Sequence, residues 1–274
     1  MQQVTLTDFK KIIWEYYAAN GRIFEWRHTD DPYKVFISEV MLQQTQTSRV
    51  AQKYPEFITA FPNFKSLASA SLKEVLAQWQ GLGYNRRGMY LHQAAQMIIK
   101  EHLGVLPSNP DLLVKLPGIG KATAASIAAF AFNVPTVFIE TNIRAVFIHF
   151  FFSGRDTIHD NEIFPLVEAS VAQEHARDWY YALMDYGVML KKTLVNPSRK
   201  SKHHTKQSKF EGSDRQIRGI ILRTLTEQDT PISCDKLIIF INKDPERTSK
   251  IIEQLIQEKF IYKMENMIGI RENA

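Results

Sequence analysis

The chain has a single cysteine, Cys234, in 274 residues. That excludes an internal disulfide, a cysteine zinc site and a cysteine-ligated iron–sulfur cluster built from this chain alone. No charged-then-apolar segment opens the N-terminus, and the apolar run around Phe147 to Phe152 is far too short to span a bilayer. Strand-like alternation is missing until close to the C-terminus. We therefore expect a soluble intracellular protein built almost wholly of helices.

What is present points to a basic, helical, multi-part chain. With 34 Lys and Arg against 29 Asp and Glu the net charge is +5, and a pI near 9.1 suits a polyanionic partner. The length allows two domains, or one catalytic unit with a small appendage. Apolar residues recur with a period near 3.6 from Thr7 to Tyr17, and Ser71-Leu72-Lys73-Glu74 reads as a capping box opening another helix. Gly88 to Lys100 and Lys121 to Phe132 continue the helical pattern, which runs nearly to residue 190.

The composition changes after Asn196-Pro197. Between Ser198 and Lys209 there are five Lys or Arg, two His and no acid. Such a run is a solvated linker or a segment that tracks phosphates. Asp214 to Thr226 and Ser233 to Ile241 then read as helices, and Asp244-Pro245-Glu246-Arg247 opens a third. Alternation in Phe260 to Met264 and Met267 to Ile270 reads as a hairpin. Three helices and a terminal β-ribbon suggest a winged-helix-like module over 214–274, a type that binds DNA or protein, beyond a basic linker at 198–213.

Leu116-Pro117-Gly118-Ile119-Gly120-Lys121-Ala122-Thr123-Ala124 is the most informative stretch. A Pro-Gly-x-Gly turn opening an Ala-rich helix aims unpaired amides outward, a site for one nucleic-acid phosphate. Dinucleotide-binding Gly-x-Gly turns follow a buried strand. Here Pro107-Ser108-Asn109-Pro110-Asp111 reads as a helix start. The turn is the centre of a helix-hairpin-helix or an ordinary interhelical turn with glycine as cap.

A second constellation lies at Trp26-Arg27, then Asp31-Pro32-Tyr33 and Ser38-Glu39-Val40-Met41-Leu42-Gln43-Gln44-Thr45-Gln46. Glu39 sits in a run apolar enough for a buried helix. A desolvated carboxyl group has its pKa pushed up and suits a general acid near neutral pH. On the polar stripe of that helix, it would be an ordinary solvated glutamate. Glu140, twenty residues after Gly120, is likewise a catalytic carboxylate or the cap of the helix starting at Thr141 or Asn142.

These motifs, with Gly81-Leu82-Gly83-Tyr84 and Met184-Asp185-Tyr186-Gly187, resemble those of the helix-hairpin-helix (HhH-GPD) DNA glycosylases, specifically the adenine-specific MutY branch, over roughly residues 5–197. The resemblance implies an all-α, two-lobed fold. It consists of a six-helix lobe at about 25–132 and a second lobe from 1–24 plus 133–197. It also implies a nucleoid-associated monomer acting on duplex DNA with a mismatched or damaged base. The target nucleotide is flipped from the stack and the gap filled by a wedge. Gln43 and Gln44 match that wedge, and Tyr84 matches a loop that approaches the flipped nucleotide. Glu39 would protonate adenine at N7 and later activate water, and Glu140 would stabilise the oxocarbenium-like sugar. Leu116, Gly118, Gly120, Lys121 and Thr123 would hold the DNA backbone, with a monovalent cation on the hairpin carbonyls. Arg199, Lys200 and Lys202 are further candidates for phosphate contacts.

Several positions depart from that family's pattern. Ala122 stands where bifunctional members carry a Schiff-base lysine, so lyase chemistry through this position is excluded. Lys121 is rotated about 100° away around the helix. Glu140 replaces an aspartate, and the added methylene shifts the carboxylate by roughly an ångström. Lys191 stands where cluster-binding members begin their cysteines, so we expect a clusterless variant with no iron–sulfur cluster and no metal held by side chains. The Nudix-like domain that reads 8-oxoguanine is not recognisable. The leading expectation is a monofunctional adenine glycosylase acting opposite 8-oxoguanine or G. A T or U mismatch glycosylase, with which Asn85 is compatible, and a non-catalytic damage-binding protein are the alternatives.

Overall fold

The computed structural model describes residues 4–205 and 209–272. In chain order the helices are α1 (Leu6–Asn20), α2 (Pro32–Leu42), α3 (Thr47–Ala60), α4 (Phe64–Ser69), α5 (Leu72–Gln78), α6 (Arg86–His102) and α7 (Pro110–Leu113). They continue with α8 (Lys121–Phe132), α9 (Thr141–Phe151), α10 (Asp160–Ser170), α11 (Ala176–Thr193), α12 (Asp214–Thr226), α13 (Cys234–Ile241) and α14 (Pro245–Gln257). Strands β1 (Ile232–Ser233), β2 (Ile261–Met264) and β3 (Met267–Ile270) form one antiparallel sheet in the order β1-β3-β2. The chain is thus mostly helical, as its periodicity implies. Among the described residues no helix is long and apolar enough to cross a membrane.

Helix ends follow the capping chemistry of the sequence. The Ser71 hydroxyl accepts from the Glu74 amide while the Glu74 carboxylate accepts from the Ser71 amide, the box expected there. Asn109 caps α7 by accepting from the Asp111 amide at 2.8 Å, with Pro110 in the first turn. Gly120 precedes α8 with no side-chain cap, leaving the first amides of that helix outward.

The chain divides into two compact units, 1–36 with 107–115 and 119–206, and 37–106 with 116–118 and 207–274. In the first, Phe9 packs edge-on against Phe150, Phe151 and Trp179 and at a tilt against Phe147, tying α1, α9 and α11 around one aromatic core. Asp185 on α11 is 2% exposed and accepts from the Arg22 amide and Nε at 2.7 Å, and from both terminal nitrogens of Arg27 at 2.9 Å. The Trp26-Arg27 and Met184-Asp185-Tyr186-Gly187 motifs are therefore two halves of one buried ion-pair cluster. Burial pushes the Asp185 carboxyl up, but the hydrogen bond and charge of Arg27, with the amide and charge of Arg22, outweigh it and hold the group below its ordinary value.

In the second unit the three C-terminal helices and the sheet have the topology of a winged helix. The expected bounds of α12 agree with those observed, while β1 was not expected. This module does not stand apart. Ile217, Ile221, Leu222, Leu225, Leu255 and Phe260 share one core with Leu72, Leu76 and Met89 of α5 and α6. The Arg86 and Arg218 guanidiniums meet on Glu258. The 1–197, 198–213 and 214–274 partition drawn from composition thus differs from the cores that form. Burial of the apolar face of α12 needs α5 and α6 as its other wall.

Within residues 196–201, Pro197, Ser198 and Ser201 are packed rather than solvated. Asn196 caps a single 3-10 turn at Pro197–Lys200, Pro197 and Ser198 are buried, and Ile158 and Ser201 form a parallel bridge. The linker reading therefore fails at its start, where apolar and hydroxyl groups find partners. Residues 206–208 of that stretch lie outside the described residues.

Candidate active site

Glu39 lies on α2, half-buried, between Ser38 and Val40, which are 1% and 3% exposed. Its helix ends three residues on, at Leu42, and Gln43 and Gln44 form the turn that follows. Gln44 has φ +54°, the left-handed region that non-glycine residues occupy at a cost of roughly 1–2 kcal/mol. Tyr84, in the Gly-Leu-Gly-Tyr loop, has φ +48°. Two strained residues at the positions singled out by motif mean that the surroundings hold both turns in place.

Arg87 does the holding. One terminal nitrogen donates to the Val40 and Met41 carbonyls at 2.9 and 2.8 Å, capping α2 at its C-terminal end. The other donates to Thr45 Oγ1 at 2.8 Å and to the Leu82 and Gly83 carbonyls at 3.2 and 3.1 Å. Burial pulls this guanidinium down to about 10, with the Tyr84 phenol acting in the opposite sense. One cation thus joins the end of the Glu39 helix, the glutamine turn and the tyrosine loop. Motif reading missed Arg87, and its only local signal is the Arg86-Arg87 pair directly after the loop.

The Pro-Gly-x-Gly turn meets the same assembly. Gln43 Nε2 donates to the Gly118 carbonyl at 3.4 Å. Gly118 has φ +76°, and a Cβ there would lie 2.9 Å from the Tyr90 Cβ, so this position requires glycine twice over. Gly118, Gly120 and Lys121 are exposed and Thr123 is half-buried, as a backbone-holding turn needs. Leu116 is 2% exposed, so its side chain belongs to the core and only its backbone is available to a ligand.

Glu140 has a different setting in the first unit. It is the N-cap of α9: Oε1 accepts from the Asn142 and Ile143 amides at 2.7 and 2.9 Å, and Oε2 from Asn142 Nδ2 at 3.2 Å. The Thr141 hydroxyl adds a bond at 3.3 Å. Lys191 on α11 braces these neighbours, donating to Thr141 Oγ1 at 3.1 Å and Asn142 Oδ1 at 2.8 Å. Gly187, one turn earlier, makes this possible, because a Cβ there would lie 2.5 Å from the Asn142 carbonyl oxygen. Burial pulls the Lys191 ammonium down; Glu140 opposes that shift and Arg144 adds to it.

A model of the HhH-GPD superfamily of base excision DNA repair proteins matches residues 37–171, from the Glu39 helix through the hairpin to beyond Glu140. The chain belongs to the HhH-GPD superfamily. An adenine DNA glycosylase of Buchnera aphidicola subsp. Baizongia pistaciae is 32% identical over 187 residues, covering 68% of this chain but only 53% of that relative. An adenine DNA glycosylase of Mycobacterium tuberculosis is 28% identical over 287 residues, covering 93% and 90% of the two chains. Among solved structures, a thermostable thymine-DNA glycosylase superposes with a TM-score of 0.60 at 25% identity, covering 67% of this chain and 86% of that one.

Within this HhH-GPD chain, the region from Lys191, near the end of α11, does not fit a four-iron cluster. Cys234 is the sole cysteine and lies on α13, and such a cluster takes four thiolates. Where the resemblance puts the first of them, the Lys191 ammonium bonds Thr141 and Asn142, and Ser198 Oγ donates to the Thr141 carbonyl at 2.7 Å. Of the three basic candidates nearby, Lys200 donates to the Ser153 carbonyl at 2.8 Å and lies 3.9 Å from Asp156, a fold-stabilising position. Arg199 and Lys202 are exposed.

Proposed function

We propose that this chain is a monofunctional DNA glycosylase of base excision repair that removes a flipped adenine opposite 8-oxoguanine or G and leaves an abasic site. The observation that carries the reading is the Gln43 bond to Gly118, which joins the residues following Glu39 to the hairpin turn. Acid, wedge and the Leu116–Gly118 arm of the hairpin turn thus belong to one compact unit. Glu39 transfers a proton to N7, the C1′–N9 bond breaks with its electron pair leaving on adenine, and water adds to the cationic C1′. Glu39, now a carboxylate, takes the proton of that water. The family resemblance gives Glu140 the role of fixed negative charge that stabilises the sugar cation, a role that needs no uncommitted lone pair.

With Ala122 exposed near the start of α8, that position supplies no amine for β-elimination. The adenine assignment draws on the two curated relatives, and the opposite base is our inference from the MutY-like glutamine run. The likeness to a thymine-DNA glycosylase favours a second reading, removal of T or U opposite G.

Incubation of the purified chain with duplexes carrying A opposite 8-oxoguanine, A opposite G, T opposite G and U opposite G, followed by alkali, separates the readings. We expect strand breaks at adenine only after alkali, and a loss of about 10²–10⁴-fold for Glu39→Gln. Release of T or U with adenine untouched selects the second reading, and base release from none of the four overturns both.

A further inference from the structure

Two guanidiniums lie close to the Tyr84 ring. Arg87 Cζ is 5.6 Å from the ring centroid and Arg215 Cζ is 5.4 Å from it. Their duties differ. Arg87 is fixed by carbonyls of α2 and of the tyrosine loop, so its position follows from the family-matching segment. Arg215 comes from the second residue of α12, 131 residues along the chain, and donates Nη1 to the Tyr84 hydroxyl at 2.6 Å.

The stem that carries Arg215 is rigid. Ile217, Ile221, Leu222 and Leu225 bury the same helix against α5 and α6, and Arg247 of α14 ties Asp214 Oδ1 at 2.6 Å and the Gly212 carbonyl at 2.9 Å. Arg218, one turn beyond, is held by Glu258. Tyr84 by contrast sits on a backbone with φ +48°, a conformation that persists only when its surroundings enforce it.

We propose that Arg215 is a positioning residue of the glycosylase site, through which the C-terminal winged-helix module sets the orientation of Tyr84 and so the fit of the flipped nucleotide. The inference rests on reading the Tyr84 loop as nucleotide-facing. It makes the module a working part of the site rather than a tethered accessory. Nothing in the family-matching segment, residues 37–171, includes Arg215.

The test is a double-mutant cycle in the full chain with Arg215→Ala, Tyr84→Phe and both, plus Arg215→Lys. Single-turnover base release is measured on the duplex that the wild type cleaves, and DNA affinity is measured separately. A lost bond to a charged donor corresponds to roughly a tenfold fall in rate. We expect that fall for each single variant, the same fall for the double, partial recovery with Lys, and an affinity within about twofold of wild type. Rates that multiply in the double variant overturn the proposal, as does an Arg215→Ala rate equal to wild type. So does weaker, more salt-sensitive binding with the rate intact, which would make Arg215 a phosphate contact. Should Arg215→Ala melt early, Tyr84→Phe with Arg215→Lys decides, since neither removes the stem packing: a Tyr84→Phe rate equal to wild type overturns the proposal. A wild type inactive on every duplex overturns the glycosylase reading and this proposal together, whereas an active wild type with an indifferent Arg215 overturns this proposal alone.

Discussion

Around the two candidate carboxylates, the two compact units place positive charge differently. In the unit holding Glu39, Arg87 and Arg215 are directed at the loops that motif reading assigned to DNA. In the unit holding Glu140, five cations are turned inward, Arg22 and Arg27 on Asp185, Arg144 on Asp160, Lys191 on Thr141 and Asn142, Lys200 on Ser153, while Lys121, Arg199 and Lys202 are exposed. The candidate carboxylates differ in the same sense. Glu39 is a half-buried side chain within the last turns of α2, in keeping with a group that exchanges protons. Glu140 is locked by two backbone amides and a side-chain amide, in keeping with a group that only supplies charge.

Removing that charge while keeping the cap tests the contrast most severely. Glu140→Gln retains a carbonyl oxygen for the Asn142 and Ile143 amides, so the melting temperature is expected to move by only a few degrees. The single-turnover rate is expected to fall about 10²–10³-fold, the loss typical of a removed electrostatic stabiliser. Glu140→Ala should cost a similar factor in rate and about 1 kcal/mol more in stability, through loss of the cap. A Glu140→Gln protein with wild-type rate would reduce Glu140 to a helix cap and leave Glu39 as the sole chemical carboxylate.

Asp185 provides the purely structural control. Its carboxylate is 2% exposed and bonded by two arginines, and breaking a buried pair from one side costs about 3–5 kcal/mol. Asp185→Asn is expected to melt well below wild type while retaining the per-molecule rate at low temperature. The pH dependence has a definite sign. A carboxyl with a depressed folded pKa stabilises fully above its unfolded value, near 3.8, and loses that stabilisation as pH falls below it through the depressed value. The wild type should therefore lose stability over that acid range more steeply than Asp185→Asn. Parallel acid-denaturation curves would contradict the assignment.

Much of this architecture was legible because it is local. The Ser71 box, the Asn109-Pro110 start, the Gly118 turn and the bounds of α12 each follow from a few neighbouring residues. β1 was illegible because two residues, Ile232 and Ser233, carry no alternation and pair only once β3 exists. The Arg27–Asp185 bond was illegible for a related reason: its partners are 158 residues apart. The sequence marked both motifs without disclosing that they are one cluster. Arg87, Arg215 and Lys191 share a deeper obstacle. No local pattern distinguishes a cation bound to carbonyls or a phenol from one in solvent, because the partner is chosen by tertiary packing. The same holds for the linker reading of 198–213, where basic composition concealed the buried Ser198 and Ser201.

That segment also offers the finest test of the contrast between the units. If the cations of the Glu140 unit are structural, Lys200→Glu should lower stability slightly, through its bond to Ser153, and leave the salt dependence of DNA binding unchanged. Arg199 and Lys202 are exposed on the same stretch, so charge reversal there separates position from composition. Removing one cation that pairs with a DNA phosphate should lower the slope of log affinity against log salt by about 0.9, so reversing both would lower it by up to about 1.8. An equal change from Lys200→Glu would mean that the ammonium leaves Ser153 for a phosphate in the complex. Charge in this unit would then serve DNA as well as the fold, and the division of labour drawn from Glu39 and Glu140 would hold for the carboxylates only.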